Sequence, residues 1–255
     1  MAELIVYEHP LNERIRTFLR LEHLFLQVDH FRHLADAWSN RAAIAGLLDI
    51  ISIFSRSDLK TEILKELERH TANLERVRRQ PGVNMQALGA VLDDLEQATH
   101  QVYRLDGQIA QRLRSNEFLT TIMQRSSIPG GSCNFDLPQY HYWLNQPFEV
   151  RQDQMDEWLQ ELNSVREAVI LLLNLVRNST IPSNQLAKKG FFQQSLESSA
   201  PAQLVRVGLP RGSSLFVEIS GNKHRFSIRF LEAVDTGRPV QTTQDVSFQI
   251  TNCVF

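Results

Sequence analysis

The sequence predicts an α+β protein, with a mostly helical domain over residues 1–182 and a smaller antiparallel β domain over residues 183–255. Apolar residues recur every three or four positions before about residue 182 and alternate with polar residues after it, which are the periods of helices and of strands. The charge also changes there: eight basic and five acidic residues give the last part +3, whereas the first 182 residues carry −5. A short β-branched segment, Leu4–Tyr7, predicts an N-terminal strand that can join the sheet.

Helical spacing of apolar residues predicts a series of helices in the N-terminal part. The first begins at Pro10, a favoured first-turn residue, and Ser57 and Asn84 are expected N-cap residues of two later helices. Pro129-Gly130-Gly131 interrupts the pattern, because proline and glycine end helices. In chain order we expect a helix from Pro10, one over 40–54, one from Ser57 to Pro81, one after Asn84, one or two short helices in 105–125, and one over 153–178.

The last of these predicted helices has an unusually wide apolar face. It runs from Trp158 to Val176 along the helix. A face of this width is typical of a central helix or of a subunit interface. The pattern leaves both interpretations open, a dimer surface or the core of the chain itself.

The C-terminal part predicts five short antiparallel strands that form one sheet. Alternation is clearest in three of them, and Ser220-Gly221-Asn222-Lys223 is a hairpin turn between the first two of those three. The polar face of this sheet carries an excess of arginine. The expected strands are 191–196, 204–209, 215–219, 225–230 and 245–250.

Composition excludes several classes of protein. With 42% hydrophobic and 22% charged residues the chain is not disordered, and a net charge of −2 argues against bulk attraction to nucleic acid or anionic lipid. No apolar run reaches the roughly 18 residues of a membrane span. The start, Met1-Ala2-Glu3, lacks the features of a secretory signal, and two cysteines do not make a disulfide scaffold. We therefore expect a cytoplasmic protein.

A search for catalytic and metal-binding patterns finds little. The chain has no Gly-x-Ser-x-Gly elbow, phosphate-binding loop or dinucleotide fingerprint. Cys133 lies near His141 and could form a thiol–imidazole pair, although a buried cysteine beside a turn is the simpler interpretation. His30 and His33 could share a helix face, but nothing completes a metal site. We expect no enzyme activity, no cofactor and no metal.

The basic residues are more informative, since 22 of the 27 are arginine. Arginine makes bidentate bonds to carboxylates, which suits recognition of an acidic peptide or protein. Three clusters stand out, although many arginines can pair with the 29 acidic residues of the chain itself. The same clusters would serve a nucleic-acid-binding module, which remains the alternative function. The clusters are Arg14, Arg16 and Arg20; Arg112 and Arg114; and Lys223, Arg225 and Arg229.

Two stretches carry a family resemblance. They are Tyr7–Glu22 (YEHPLNERIRTFLRLE) and Ser127–Pro138 (SIPGGSCNFDLP), the second followed by His141 and Trp143. Together they resemble the ZapD family of cell division proteins. Weaker matches in the same order extend the similarity over nearly the whole chain: Thr61–Glu68, Pro81–Val83 and Ser220–Phe230.

The resemblance implies a non-enzymatic bacterial protein of the cytoplasm that associates with the Z-ring at mid-cell. Members of this family bind the C-terminal tail of the tubulin-like GTPase FtsZ and, as dimers of a helical and a β domain, cross-link its filaments. Two tail sites on one dimer would bridge two filaments, and the many tails of a filament would add avidity. By resemblance and chemistry together, the expected tail-binding residues are Arg16, Arg20, Arg114 and His141, followed by Arg56 and Arg112.

Overall fold

The computed structural model describes residues 3–56, 58–105, 107–197, 201–234 and 236–254, and of Arg56 only the backbone. It confirms the α+β class. The helices are α1 (Glu13–Arg32), α2 (Ala37–Arg56), α3 (Leu59–Val77), α4 (Met85–Tyr103), α5 (Gln111–Ser115), α6 (Glu117–Ser126), α7 (Pro138–Leu144), α8 (Phe148–Gln160) and α9 (Asn163–Arg177). The strands are β1 (Leu4–Pro10), β2 (Ser183–Ala187), β3 (Phe191–Ser195), β4 (Ala202–Pro210), β5 (Leu215–Gly221), β6 (Arg225–Glu232), β7 (Val240–Gln241) and β8 (Val246–Val254).

Polar side chains at the N-terminal ends determine where several helices begin. Pro10 does not open α1 as expected, because it ends β1, and the Asn12 side chain instead accepts a hydrogen bond from the Ile15 amide at 2.9 Å. For α3 the N-cap is Asp58, which accepts from Thr61 N, and the predicted cap Ser57 lies outside the described residues. Asn84 caps α4 as predicted.

The single helix predicted over residues 153–178 is wrong, because the chain forms α8 and α9 with a tight turn between them. The Leu162 amide donates to the Leu159 carbonyl at 2.9 Å, and the Leu162 side chain is fully buried within the turn. The apolar spacing continues through this turn without glycine or proline, so the period alone did not reveal the break. The residues of this face on α9 are buried within the chain, which favours the core interpretation of the face: Val165, Val169, Leu172, Leu173 and Val176.

The five predicted strands are present, but the strands form two antiparallel sheets rather than one. The first has the order β1-β4-β8-β2, and the second has the order β3-β6-β5 with β7 also paired to β6. The N-terminal strand joins the first sheet, with Leu4 opposite Pro210 and Pro10 opposite Leu204. Alternate side chains of both sheets form one apolar core, which includes Phe226, Phe230 and Phe248.

Contacts between Cα atoms divide the chain into two compact units. One contains residues 1–18 and 173–255, and the other contains residues 19–172. In the first unit, Glu8 of β1 forms ion pairs with Arg177 and Arg206. The division at residue 182 stays our proposal for the limits of the domains. None of the helices in the described part of the chain has the length and apolar character needed to cross a membrane.

Candidate protein-binding site

Helix α1 carries two of the predicted binding residues. Arg16 Nε donates to Glu13 Oε1 at 3.1 Å, so its charge is partly compensated within the helix. Burial and the nearby charge of Arg16 lower the pKa of His9, which favours its neutral form. Arg20 is exposed and has no ion-pair partner among the residues that the structure describes. Arg20 is therefore the more available of the two guanidinium groups.

Helix α5 carries Arg112 and Arg114, which face different cavities. Arg114 Nη2 donates to Gln108 Oε1 at 2.6 Å, while Arg114 Nε is buried with no hydrogen-bond partner in the described part of the chain. Arg114 lines a cavity of about 390 Å³ together with Lys60 and the last turn of α2 at Ser55. Arg56, the last residue of α2, follows directly, but its side chain lies outside the described residues.

Lys60, which sequence reasoning missed, positions the segment before α5. Its Nζ donates to the carbonyl oxygens of Tyr103 at 3.2 Å and Leu105 at 2.5 Å. These bonds join the start of α3 to the end of α4, more than 40 residues away. No local pattern predicts such a contact. The result is a second cation in the cavity of Arg114.

Arg112 is exposed in a larger cleft of about 970 Å³, which also contains Arg104, Glu157 and Glu161. The cleft reaches Trp158, whose ring lies 6.1 Å from that of Trp143 on α7. The rings of Phe118, Tyr140, Trp143 and Trp158 form one aromatic cluster that joins α6, α7 and α8.

The aromatic cluster supports the helix that carries His141. His141 is exposed on α7, between the buried Tyr140 and the exposed Tyr142. Trp143 Nε1 donates to Gln154 Oε1 at 2.6 Å, which fixes the orientation of α7 against α8. The Arg112 cleft reaches this cluster at Trp158, whereas His141 does not line that cleft.

Arg41 is a second residue that the sequence analysis missed. Its guanidinium lies 5.5 Å from the ring of Trp38 and 4.9 Å from the ring of Tyr140. It also donates to the Ser132 carbonyl at 3.0 Å, which holds the turn that precedes α7. Burial raises the pKa of Tyr140 to about 12, despite the opposing charge of Arg41. Only the three-dimensional fold brings these residues together, so no signal in the sequence could have identified them.

The basic hairpin between β5 and β6 is partly neutralised. Arg229 pairs with Glu218, the residue opposite it in the β5–β6 register. Lys223 and Arg225 are exposed. Arg229 therefore has an internal role, and only two cations of this cluster are available to a partner.

The structure gives no support to a thiol–imidazole or metal site. Cys133 is exposed rather than buried, which corrects the simpler interpretation of this cysteine. Within the described ranges its thiol makes no hydrogen bond to His141. Over the same ranges, no three His, Cys, Asp or Glu side chains are grouped as metal ligands.

Comparison with known proteins identifies the family. The family model described as "ZapD: Cell division protein" matches residues 19–229. The chain is 42% identical over 254 residues to "Cell division protein ZapD" of Methylococcus capsulatus, with 100% of each chain covered. It is 41% identical over 254 residues to the protein of that name from Chromobacterium violaceum, covering 99% and 100% of the two chains. With Azoarcus sp. the identity is 38% over 250 residues, covering 98% and 99%. The chain therefore belongs to the ZapD family of cell division proteins.

Proposed function

We propose that the protein is a non-enzymatic division factor that binds the C-terminal tail of FtsZ and, as a homodimer, cross-links FtsZ filaments into bundles. The observation that carries this proposal is full-length similarity to proteins named for cell division. It acts in the cytoplasm at the mid-cell division site and requires no cofactor, metal, nucleic acid or membrane.

The tail is bound by charge-assisted hydrogen bonds from arginine to its acidic groups, while apolar side chains of the tail fill shallow grooves. Arg20 and Arg112 support this proposal, because both are exposed and neither has an ion-pair partner in the described part of the chain. Arg114 adds a buried Nε that has no acceptor there. Arg16, Arg56 and His141 complete the proposed set.

Bridging of filaments requires two tail sites on one particle, which a homodimer supplies. Each contact can be weak, because a filament presents many tails and the second contact becomes intramolecular. Sedimentation equilibrium tests this step directly, and a monomer at micromolar concentration would exclude the bridging mechanism.

Co-sedimentation with FtsZ filaments tests the proposed function. The protein should pellet with filaments of full-length FtsZ and should stay in the supernatant with FtsZ that lacks its tail. Pelleting with both forms would move the contact to the GTPase core. Pelleting with neither form, for a folded dimer, would contradict the function, and binding to generic DNA that falls steeply with salt would then support the nucleic-acid alternative.

Charge reversals identify the residues. Arg20→Glu and Arg114→Glu should each reduce pelleting about tenfold or more, since each replaces an attraction with a repulsion. Arg79→Glu is the matched control, because Arg79 is also exposed and unpaired among the described residues but belongs to none of the predicted clusters. If all three variants bundle filaments equally, the assignment of the arginines is wrong.

A further inference from the structure

The start of α2 exposes a tryptophan. Trp38, the second residue of this helix, is 79% exposed, whereas the other two tryptophans of the chain, Trp143 and Trp158, are buried. A single exposed apolar side chain is ordinary in a folded protein. Tryptophan is nevertheless among the residue types most enriched at binding hot spots, where it supplies a large contact area with few rotatable bonds. The suitability of Trp38 for this role depends on how firmly it is held.

Two buried polar side chains hold the turn that carries Trp38. Asn40 Nδ2 donates to the carbonyl oxygens of Leu34 at 2.8 Å and Asp36 at 3.0 Å. Arg151 Nη2 donates to the carbonyl oxygen of the residue between them at 2.7 Å. The Asp36 carboxylate also accepts a hydrogen bond from the Trp38 amide at 3.0 Å. Because these bonds fix the backbone before a partner arrives, binding at Trp38 costs little conformational entropy there.

Arg41 lies against the Trp38 ring and is anchored by α7 and the turn before it. Its guanidinium is 5.5 Å from the centroid of the Trp38 ring and 4.9 Å from that of the Tyr140 ring, and its Nη1 donates to the Ser132 carbonyl at 3.0 Å. It forms no ion pair with any residue that the structure describes, Asp36 included, and its Nε and Nη2 form no hydrogen bond to those residues. An exposed aromatic ring therefore lies beside a cation that has no carboxylate partner in the described part of its own chain.

Arg41 connects Trp38 to α7, the helix that carries His141. Tyr140, whose ring contacts Arg41, directly precedes His141 in the chain. His141 already belongs to the proposed set of tail-binding residues, so Trp38 and Arg41 extend that site and do not create a second place for the tail. An apolar surface beside such a guanidinium matches a peptide in which an apolar residue stands close to an acidic one.

We propose that Trp38 and Arg41 form the apolar subsite of the tail site, next to His141. An apolar side chain of the FtsZ tail packs on the exposed surface of the Trp38 ring, and a nearby acidic group of the tail accepts hydrogen bonds from Arg41 Nε and Nη2. This inference rests on the proposed function and supplies residues for its shallow apolar groove. The arginines of α1 and α5 keep their proposed role, which is to bind other acidic groups of the tail.

The fluorescence of Trp38 tests the subsite directly, with the full-length protein and a synthetic FtsZ tail peptide that contains no tryptophan. When the peptide covers the Trp38 ring, the emission should shift to shorter wavelength and acrylamide should quench it less, because the indole is removed from water. Trp38→Phe should remove most of both changes, since Trp143 and Trp158 are buried in the free protein.

Substitutions measure how much the subsite contributes to affinity. Trp38→Ala should weaken peptide binding about tenfold or more, as expected for a hot-spot tryptophan. Arg41→Gln should weaken it about three- to tenfold, and this loss should decrease at high salt. Met85→Ala is the matched control, because Met85 is a half-exposed apolar residue at the start of another helix, α4, in the same unit. Urea unfolding verifies that each variant is folded, and an equal loss of binding in Met85→Ala would overturn the assignment.

Three negative outcomes are distinct. If the peptide binds but leaves the Trp38 emission unchanged, or binds Trp38→Ala as tightly as wild type, the subsite is wrong while the proposed function stands. If the Trp38 emission shifts with protein concentration in the absence of peptide, a second copy of the chain covers the ring, and the subsite is wrong for that reason. If the peptide does not bind to the wild-type protein at all, the proposed function fails, and the subsite fails with it.

Discussion

Glu8 on β1 is the centre of an ion-pair network in the unit formed by residues 1–18 and 173–255. Its carboxylate accepts hydrogen bonds from Arg177 Nε at 2.9 Å, Arg177 Nη2 at 2.8 Å and Arg206 Nε at 2.9 Å. The three side chains are only 18–27% exposed. The network joins β1, the end of α9 and β4, so Glu8→Gln should lower the free energy of unfolding.

The expected loss of unfolding free energy is about 2 kcal/mol. In the variant, the side-chain amide oxygen remains a neutral acceptor, but the NH₂ group faces a guanidinium, so at least one charge-assisted hydrogen bond is lost. The guanidinium that loses its acceptor stays partly buried without a compensating negative charge. The partial exposure of both arginines keeps the loss below the value for a fully buried pair. Glu218→Gln is the control: Glu218 and Arg229 are about half exposed, and this change should cost less than about 1 kcal/mol.

The loss should depend on pH. Burial alone would raise the pKa of Glu8, but the hydrogen bonds and charges of Arg177 and Arg206 outweigh it, so the pKa lies below the usual value. A carboxyl group of this kind contributes its full stabilisation above the pKa of the unfolded chain, about 4.3, and loses it as pH falls through the folded pKa. The difference between wild type and Glu8→Gln should therefore be constant from pH 7 to about 5 and shrink below about 4.

Urea unfolding followed by circular dichroism measures these free energies. Tryptophan fluorescence provides a second probe that reports on the other unit, because all three tryptophans lie in residues 19–172. Equal costs for Glu8→Gln and Glu218→Gln at pH 7 would refute the argument from burial. A cost that did not decrease at low pH would refute the assignment to the ionised carboxylate.

Three further outcomes follow from the described contacts. Trp143→Phe removes the hydrogen bond to Gln154 and should lower the free energy of unfolding by about 1 kcal/mol in urea titrations. A double-mutant cycle with a Gln154 variant measures the coupling free energy between the two side chains. Leu172→Ala, at a fully buried position of α9, should cost about 2–5 kcal/mol by the same assay; a cost below about 0.5 kcal/mol would contradict its burial in the core. In alkylation at neutral pH, Cys133 should react and Cys253 should not, because burial raises the pKa of the Cys253 thiol to about 11; Cys133→Ser should abolish the reaction.

Elements with a strong local signal could be predicted from the sequence. The cap at Asn84 and the alternation of Phe226, Ile228 and Phe230 both appear in the structure, because a capping side chain and a two-residue period act over short distances. The family resemblance added the expected partner, which no local pattern could supply.

Elements without such a signal were missed. β2 has four exposed residues in succession, so it shows no alternation, and only its pairing with β8 makes it a strand. The break between α8 and α9 was missed for the opposite reason, since the apolar spacing runs through the turn at Leu162. In both cases tertiary packing determines the backbone conformation, and the local sequence contains no signal that predicts it.

The candidate binding site, like the fold, could be predicted only in part from the sequence, and the arginines show this. The excess of arginine predicted recognition of a carboxylate on a partner. Several guanidinium groups instead form ion pairs with aspartates or glutamates of the same chain: those of Arg32, Arg166, Arg177, Arg206 and Arg229. Sequence spacing places Arg16 beside Arg20 on one helix face, but only the structure shows that they differ in availability to a partner. Arg16 bonds to Glu13, whereas Arg20 is exposed. An arginine that already holds a carboxylate has part of its charge compensated, so a second carboxylate from a partner adds less binding free energy. Arg20 and Arg112 form no such bond among the residues that the structure describes, and their substitution should therefore affect tail binding more than substitution of Arg16.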